Sequence, residues 1–281
     1  MSLTVFAAVM LAAVLHASWN ALVKGSADKT LSMAGVVLGH APISVLILLF
    51  VPAPAPASYP YLIVGAGLHI GYQIFLLMSY RIGDLTQVYP IARGTAPLLI
   101  AAVSVLLLGV DLSSTELLAV VIIGCGILSL SAVRQHDGLR NGRAALMALG
   151  TGCFIAAYSL VDGLGAREAG TALGFYAWLS LLNSAAMAIF VAKTDPSVFR
   201  RLPVEGLWIM VIGGTASFVA YALIMWAFTQ APIALVSALR ETSIIVALLI
   251  GVVHLKEKLD LAKLTSVLTT VLGVILLRSS R

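Results

Sequence analysis

The sequence predicts an all-α polytopic membrane protein, with ten transmembrane helices arranged as two inverted five-helix repeats. Three observations predict it. First, 60% of the 281 residues are hydrophobic and only 10% charged, with a mean hydropathy of +1.05, which lies outside the range of soluble globular chains. Second, ten apolar runs are long enough to cross a hydrocarbon core of about 30 Å. They are Leu3–Val23, Leu31–Val51, Tyr61–Tyr80, Leu85–Val110, Leu117–Val133, Ala144–Val161, Ala172–Ala192, Val204–Phe228, Ile233–Leu255 and Leu261–Leu277. Third, an arginine inside the fourth run, Arg93, recurs as Arg240 inside the ninth. Alternation of period two is absent, which argues against an outer-membrane barrel.

The first run follows Met1-Ser2-Leu3 with no basic segment before it, so it reads as an uncleaved first span. Its His16, Trp19, Asn20 and Val23 fall on one face at helical spacing. That face either lines a cavity or packs, with Trp19 as an interfacial anchor and Asn20 as an interhelical hydrogen-bonding residue. The second run carries His40-Ala41-Pro42, which predicts a kink, and ends in the stiff connector Pro52–Pro60. In the third run His69, Tyr72, Gln73, Leu76 and Tyr80 form one stripe, a polar aromatic wall. A lone intramembrane histidine also occurs as a satisfied packing residue.

The fourth run holds Tyr89-Pro90-Ile91-Ala92-Arg93-Gly94-Thr95-Ala96-Pro97. Proline frees backbone carbonyls that need a partner inside a membrane, so irregular helix beside a wet cavity is expected here. Gly124-Cys125-Gly126 marks the fifth run as packing material. Cys125 and Cys153 both read as packing residues, and no metal, disulfide or cofactor is expected.

The polar stretch 134–143 is the expected linker, between a first repeat at 1–133 and a second at 144–281. In the sixth run Tyr158-Ser159 stands where Trp19-Asn20 stands, and Asp162 follows at that run's end. At an offset of 147, Gly67, Leu76, Met78, Arg93, Thr95, Leu112, Leu117 and Gly126 match Gly214, Leu223, Met225, Arg240, Thr242, Leu259, Leu264 and Gly273. Each half has an odd number of spans, so equivalent helices cross in opposite directions.

Of the 17 Lys and Arg, Arg93 and Arg240 lie within spans; 12 of the other 15 lie in odd-numbered loops and three in even loops or termini. The positive-inside rule then predicts cytoplasmic odd loops, outward termini and a bacterial-type inner membrane. No basic cluster suits nucleic acid.

With Trp19-Asn20, Tyr158-Ser159 and Leu255-Lys256-Glu257-Lys258-Leu259 in place, the chain resembles the EamA-type branch of the drug/metabolite transporter superfamily. The first half departs from the acidic turn, having Gly109-Val110-Asp111 there. The resemblance implies ten helices and the movement of small metabolites, amino acids or drugs; many members keep both termini in the cytoplasm, against the charge count. Related phosphate translocators place basic residues on spans four and nine for anionic substrates, where Arg93 and Arg240 stand.

The chemistry expected is a secondary transporter for a small anionic or zwitterionic metabolite. Arg93 and Arg240 would pair bidentately with a carboxylate, phosphate or phosphonate. Glu241 would receive an amine or neutralise an arginine. Trp19, Asn20, His69, Tyr72, Gln73, Tyr89, Tyr158, Tyr221 and Trp226 would line the site. The alternatives are arginines that serve only structure, a flippase for a lipid or lipid-linked sugar, and an intramembrane enzyme. HExxH, GxSxG and paired-aspartate motifs are absent, which argues against an enzyme; with no Walker motif, a proton or ion gradient rather than ATP would drive transport.

Overall fold

A computed structural model describes residues 1–82, 85–129, 142–253 and 261–279. The side chains of residues 24, 77, 80–82, 85–87, 89, 251, 262 and 263 also lie outside the description. Among the described residues every regular element is helical. The predicted linker falls almost wholly outside them, and the acidic turn 255–259 entirely so.

Local sequence explains most helix ends. In α1 (Leu3–Gly25) the Ser2 hydroxyl accepts from Val5 N–H, and Asp28 caps α2 (Lys29–Leu38) by accepting from Leu31 N–H. The expected kink near Pro42 falls at Gly39, between α2 and α3 (His40–Leu48). Gly39 lies against the Met210 carbonyl, where a Cβ has no room. Pro42 sits in the first turn of α3, where its missing N–H costs nothing.

After the connector come α4 (Tyr59–Ile82), α5 (Leu85–Leu106) and α6 (Ser114–Ser129), the last opened by reciprocal Ser113 and Glu116 capping bonds. Contrary to the irregularity expected from its prolines, α5 runs unbroken through Pro90 and Pro97.

The second half comprises α7 (Gly142–Glu168), α8 (Ala172–Thr194), the short α9 (Ser197–Glu205), a π turn at Ile209–Gly213 and α10 (Gly214–Gln230). The expected ninth run is split into α11 (Ile233–Arg240) and α12 (Ser243–Val253), and α13 (Leu261–Ser279) closes the chain.

Among the described residues, six helical stretches are long and apolar enough to cross a membrane: Leu3–Val23, Lys29–Leu48, Gly142–Glu168, Ala172–Thr194, Ile209–Gln230 and Ile233–Ile250. Pro90–Leu106, Ser114–Ser129 and Leu264–Ser279 are shorter apolar helices.

The halves interleave. α7 packs against α4 and α5, α1 against α10 and α12, α3 against α8, α6 against α13, and α11 against α5. All eight residues of α11 are buried. At one end of α2–α3, Arg201 Nη2 meets Asp28 Oδ2 at 2.8 Å. At the other, Ala55 N–H donates to the Ala169 carbonyl, and Arg167 donates to the carbonyls of Phe228 and Ala231.

Candidate functional site: a buried arginine–carboxylate centre

The site forms where α5 meets the gap between α11 and α12. Through this gap the helix tightens to three-residue bonding: Glu241 and Thr242 N–H donate to the Ala238 and Leu239 carbonyls, and Ile244 and Ile245 N–H donate back to Glu241 and Thr242. Neighbouring residues on a regular helix do not face one another, but here Glu241 reaches both arginines. Its Oε2 lies 2.8 Å from Arg93 Nε, a charge contact outside hydrogen-bond alignment, and its Oε1 lies 3.8 Å from Arg240 Nε. Arg93 Nη2 also donates to Ser243 Oγ at 3.3 Å.

Arg93, Arg240 and Glu241 are 7%, 4% and 1% exposed, so two cations and one anion are sealed together. Arg240 Nε and Nη2 have no hydrogen-bond partner among the described residues. Leaving donors of a buried charge unfilled costs free energy that a structural role alone does not return.

A second polar group adjoins this one. Asp162, on α7 and fully buried, accepts the Tyr221 hydroxyl at 2.7 Å and sits 2.8 Å from His69 Nε2 through the same Oδ2. The His69 ring stacks on Tyr158 at 4.3 Å, and Tyr72 meets Tyr158 edge-on at 5.6 Å. Tyr158 joins the two groups, since Arg93, Arg240, Asp162 and Glu241 all act on it electrostatically. His16 is likewise within Coulombic reach of both arginines.

The structure therefore brings together Arg93, Arg240, Glu241, His69, Tyr72, Tyr158 and Tyr221. Trp19 lies edge-on to His16 at 5.3 Å, and its Nε1 is buried without a described partner. Asn20 donates to the His16 carbonyl of its own helix at 2.7 Å. Trp226 packs into the main apolar core. No hydrogen bond or ring contact among the described residues ties the half-buried Gln73 to the cluster. Tyr89 lies outside the described side chains.

Asp162 and Ser243 are the residues that sequence reasoning left out of the site. The predicted sixth span stops at Val161, one residue short of Asp162; the helix in fact continues to Glu168. Gly163 and Gly165 look like breakers, but they are small because Ile233 and Phe175 press on them. An acid directly following an apolar run was the available signal. Among the described residues no group of three His, Cys, Asp or Glu could hold a metal ion.

Among the described residues, the number of apolar helices long enough to cross a membrane suggests a multi-pass membrane protein. The model of the EamA-like transporter family matches residues 142–279; members of that family are transporters, not enzymes. One solved crystal structure aligns over 98% of this chain and 96% of its own, at 19% identity and a TM-score of 0.76, a likeness of fold alone. A comparison with curated protein sequences finds no match.

Proposed function

We propose that the chain is a secondary active transporter for a small anionic or zwitterionic metabolite, of the amino acid, carboxylate, phosphate or phosphonate type. It works by alternating access between inverted halves at 1–133 and 144–281. The observation that carries this reading is Arg240, a buried guanidinium with two unfilled donors beside a carboxylate that already bridges toward Arg93. In the empty state Glu241 stands in for the substrate's anionic group. A substrate bearing a carboxylate or phosphate fills the Arg240 donors bidentately and shares Arg93 with Glu241. Tyr72, Tyr158 and Trp19 supply the walls for its apolar part.

The two-half arrangement draws support from reciprocal packing. α4 on α7 and α10 on α1 are the same two spans with the halves exchanged. Gly126 on α6 faces Thr269 while its repeat partner Gly273 on α13 faces Ile123, so matched glycines close one interface from both sides. The clustering of Asp28 with Arg201 at one end and of Ala55, Ala169 and Ala231 at the other fits ten crossings with odd loops on one side. By charge, that side is the cytoplasm and the membrane an inner membrane, with both termini outward.

A flippase reading draws on an apolar cavity of about 340 Å³ between α5 and α6, lined by Leu98, Ala101, Val105, Leu117, Val120 and Val121. No charged side chain lines it to hold a head group, so the arginine centre is favoured.

The test is transport in proteoliposomes with labelled inorganic phosphate, succinate, L-glutamate and L-serine. Arg93→Ala and Arg240→Ala are expected to lose transport of whichever probe the wild type carries while still inserting. Undiminished transport in both variants contradicts the assignment.

A further inference from the structure

The anion site leaves a second buried charge unexplained. Asp162 takes no part in the arginine trio, yet its carboxyl group is fully buried, and an unused intramembrane acid is costly. We propose that Asp162, with His69 and Tyr221, forms the proton-binding site that couples transport to a proton gradient; this rests on the anion-transporter reading above.

Three observations place a proton here. Asp162 Oδ2 accepts from Tyr221 at 2.7 Å and lies 2.8 Å from His69 Nε2, so one carboxylate oxygen already holds an imidazole that can take up a further proton. In the tautomer that carries its proton on Nε2 the neutral ring donates to the carboxylate; protonation at Nδ1 then makes it an imidazolium whose charge Asp162 balances, with no other bond rearranged. The side chain of His69 is 15% exposed and that of Asp162 is sealed, so the histidine is the member through which the proton enters and leaves. Finally, Asp162 Oδ1 backs onto Gly65, where an added Cβ would stand 2.7 Å away. A hard metal cation takes several oxygen ligands and finds no such shell here, whereas a proton needs none.

The pair is placed to sense the anion. Its neighbours on the packed helices are His69 on α4, with Tyr61 a turn away beside Gly165, Tyr221 on α10 and Tyr176 on α8. On α5 and α11 the charged groups are Arg93, Arg240 and Glu241, which share the electrostatic surroundings of Tyr158 with Asp162. An anion bound at the arginines cancels positive charge near the stacked His69–Tyr158 rings and so favours the added proton; by linkage the proton favours the anion to the same degree. Proton and anion then move together, which makes this a symport.

Two measurements test the proposal. The first needs no substrate: imidazole signals of histidine-labelled protein, with His69 assigned by His69→Gln, are followed against pH. The His69 signal is expected to respond to pH in the folded protein, and Asp162→Asn is expected to alter that response, because the carboxylate that the imidazole contacts is gone. A His69 signal that does not titrate, or one that Asp162→Asn leaves in place, overturns the proton site whatever the protein carries. The second uses proteoliposomes containing a pH-sensitive dye and the four probes above. Addition of the transported probe is expected to acidify the wild-type lumen; in Asp162→Asn both probe uptake and acidification are followed, and acidification is expected at less than about a tenth of the wild-type rate. Acidification at the wild-type rate in Asp162→Asn overturns the coupling. If His69 titrates as expected and no probe is carried, the anion reading fails and the proton site stands.

Discussion

α5 and the α11–α12 segment stand at equivalent places in the proposed repeat, yet they behave oppositely. α5 contains Pro90 and Pro97 and remains one helix; the α11–α12 segment contains no proline between Ile233 and Val253 and breaks at Glu241–Thr242. Proline is a weaker determinant here than tertiary contact. Around α5 the neighbours come unusually close: Gly94 and Gly124 let α5 and α6 touch backbone to backbone, and Gly152 of α7 lies against the Ala92 carbonyl. These glycines hold the helix straight despite its missing donors. At Glu241 the break is set by charge, since only a tightened turn lets that carboxylate reach both Arg93 and Arg240.

Substitutions can break or sharpen this contrast. The largest effect is expected at the break. Glu241→Ala removes the carboxylate that stands between two buried guanidinium groups and should destabilise the protein by about 3–5 kcal/mol. Arg240→Met removes the group with unfilled donors and should be neutral or stabilising; thermal unfolding is expected to show a lowered midpoint in Glu241→Ala and no lowering in Arg240→Met.

Next comes the glycine contact that straightens α5. A Cβ at residue 124 would stand 2.6 Å from Leu98 Cγ, so Gly124→Ala should cost about 1–3 kcal/mol by overpacking, read as a lowered midpoint. Pro97→Ala restores an N–H inside a helix that is already continuous, and a stabilisation of about 1 kcal/mol is expected, short of the full cost of an interior proline. A lowered midpoint in Pro97→Ala would mean that the proline shapes the site after all.

The smallest effect lies outside the membrane-spanning segments. The Leu31 N–H, and then Arg201, hold the Asp28 carboxyl below the usual carboxylate range. A depressed value means that its stabilising contribution is complete above the ordinary carboxylate range and fades as pH falls through the lowered folded value. Asp28→Asn should therefore lower the unfolding midpoint slightly at neutral pH and flatten the loss of stability on the acid side, so that the two proteins converge as pH falls.

The sequence made the arginine pair legible because charge in an apolar run is rare and both members share one repeat register. The aromatic stripe around His69 and Tyr72 was readable from helical spacing alone. The break at Glu241 was not, because no glycine or proline announces it and its cause is an ion pair with Arg93, distant in sequence. Asp162 was missed for a related reason. Whether Gly163 and Gly165 end a helix depends on what packs against them, and that is a property of the fold. Asn20 turned back to its own helix carbonyl, a choice between partners that spacing does not decide.

The central claim is that Arg240 keeps donors free for an anion. Thermal unfolding of purified wild type and Arg240→Ala with inorganic phosphate, succinate, L-glutamate and L-serine tests it most directly, because a ligand that binds only the folded state raises its stability. At least one of these is expected to raise the wild-type midpoint in a concentration-dependent way and to leave Arg240→Ala unmoved. No rise with any of them, or an equal rise in both proteins, would contradict the claim.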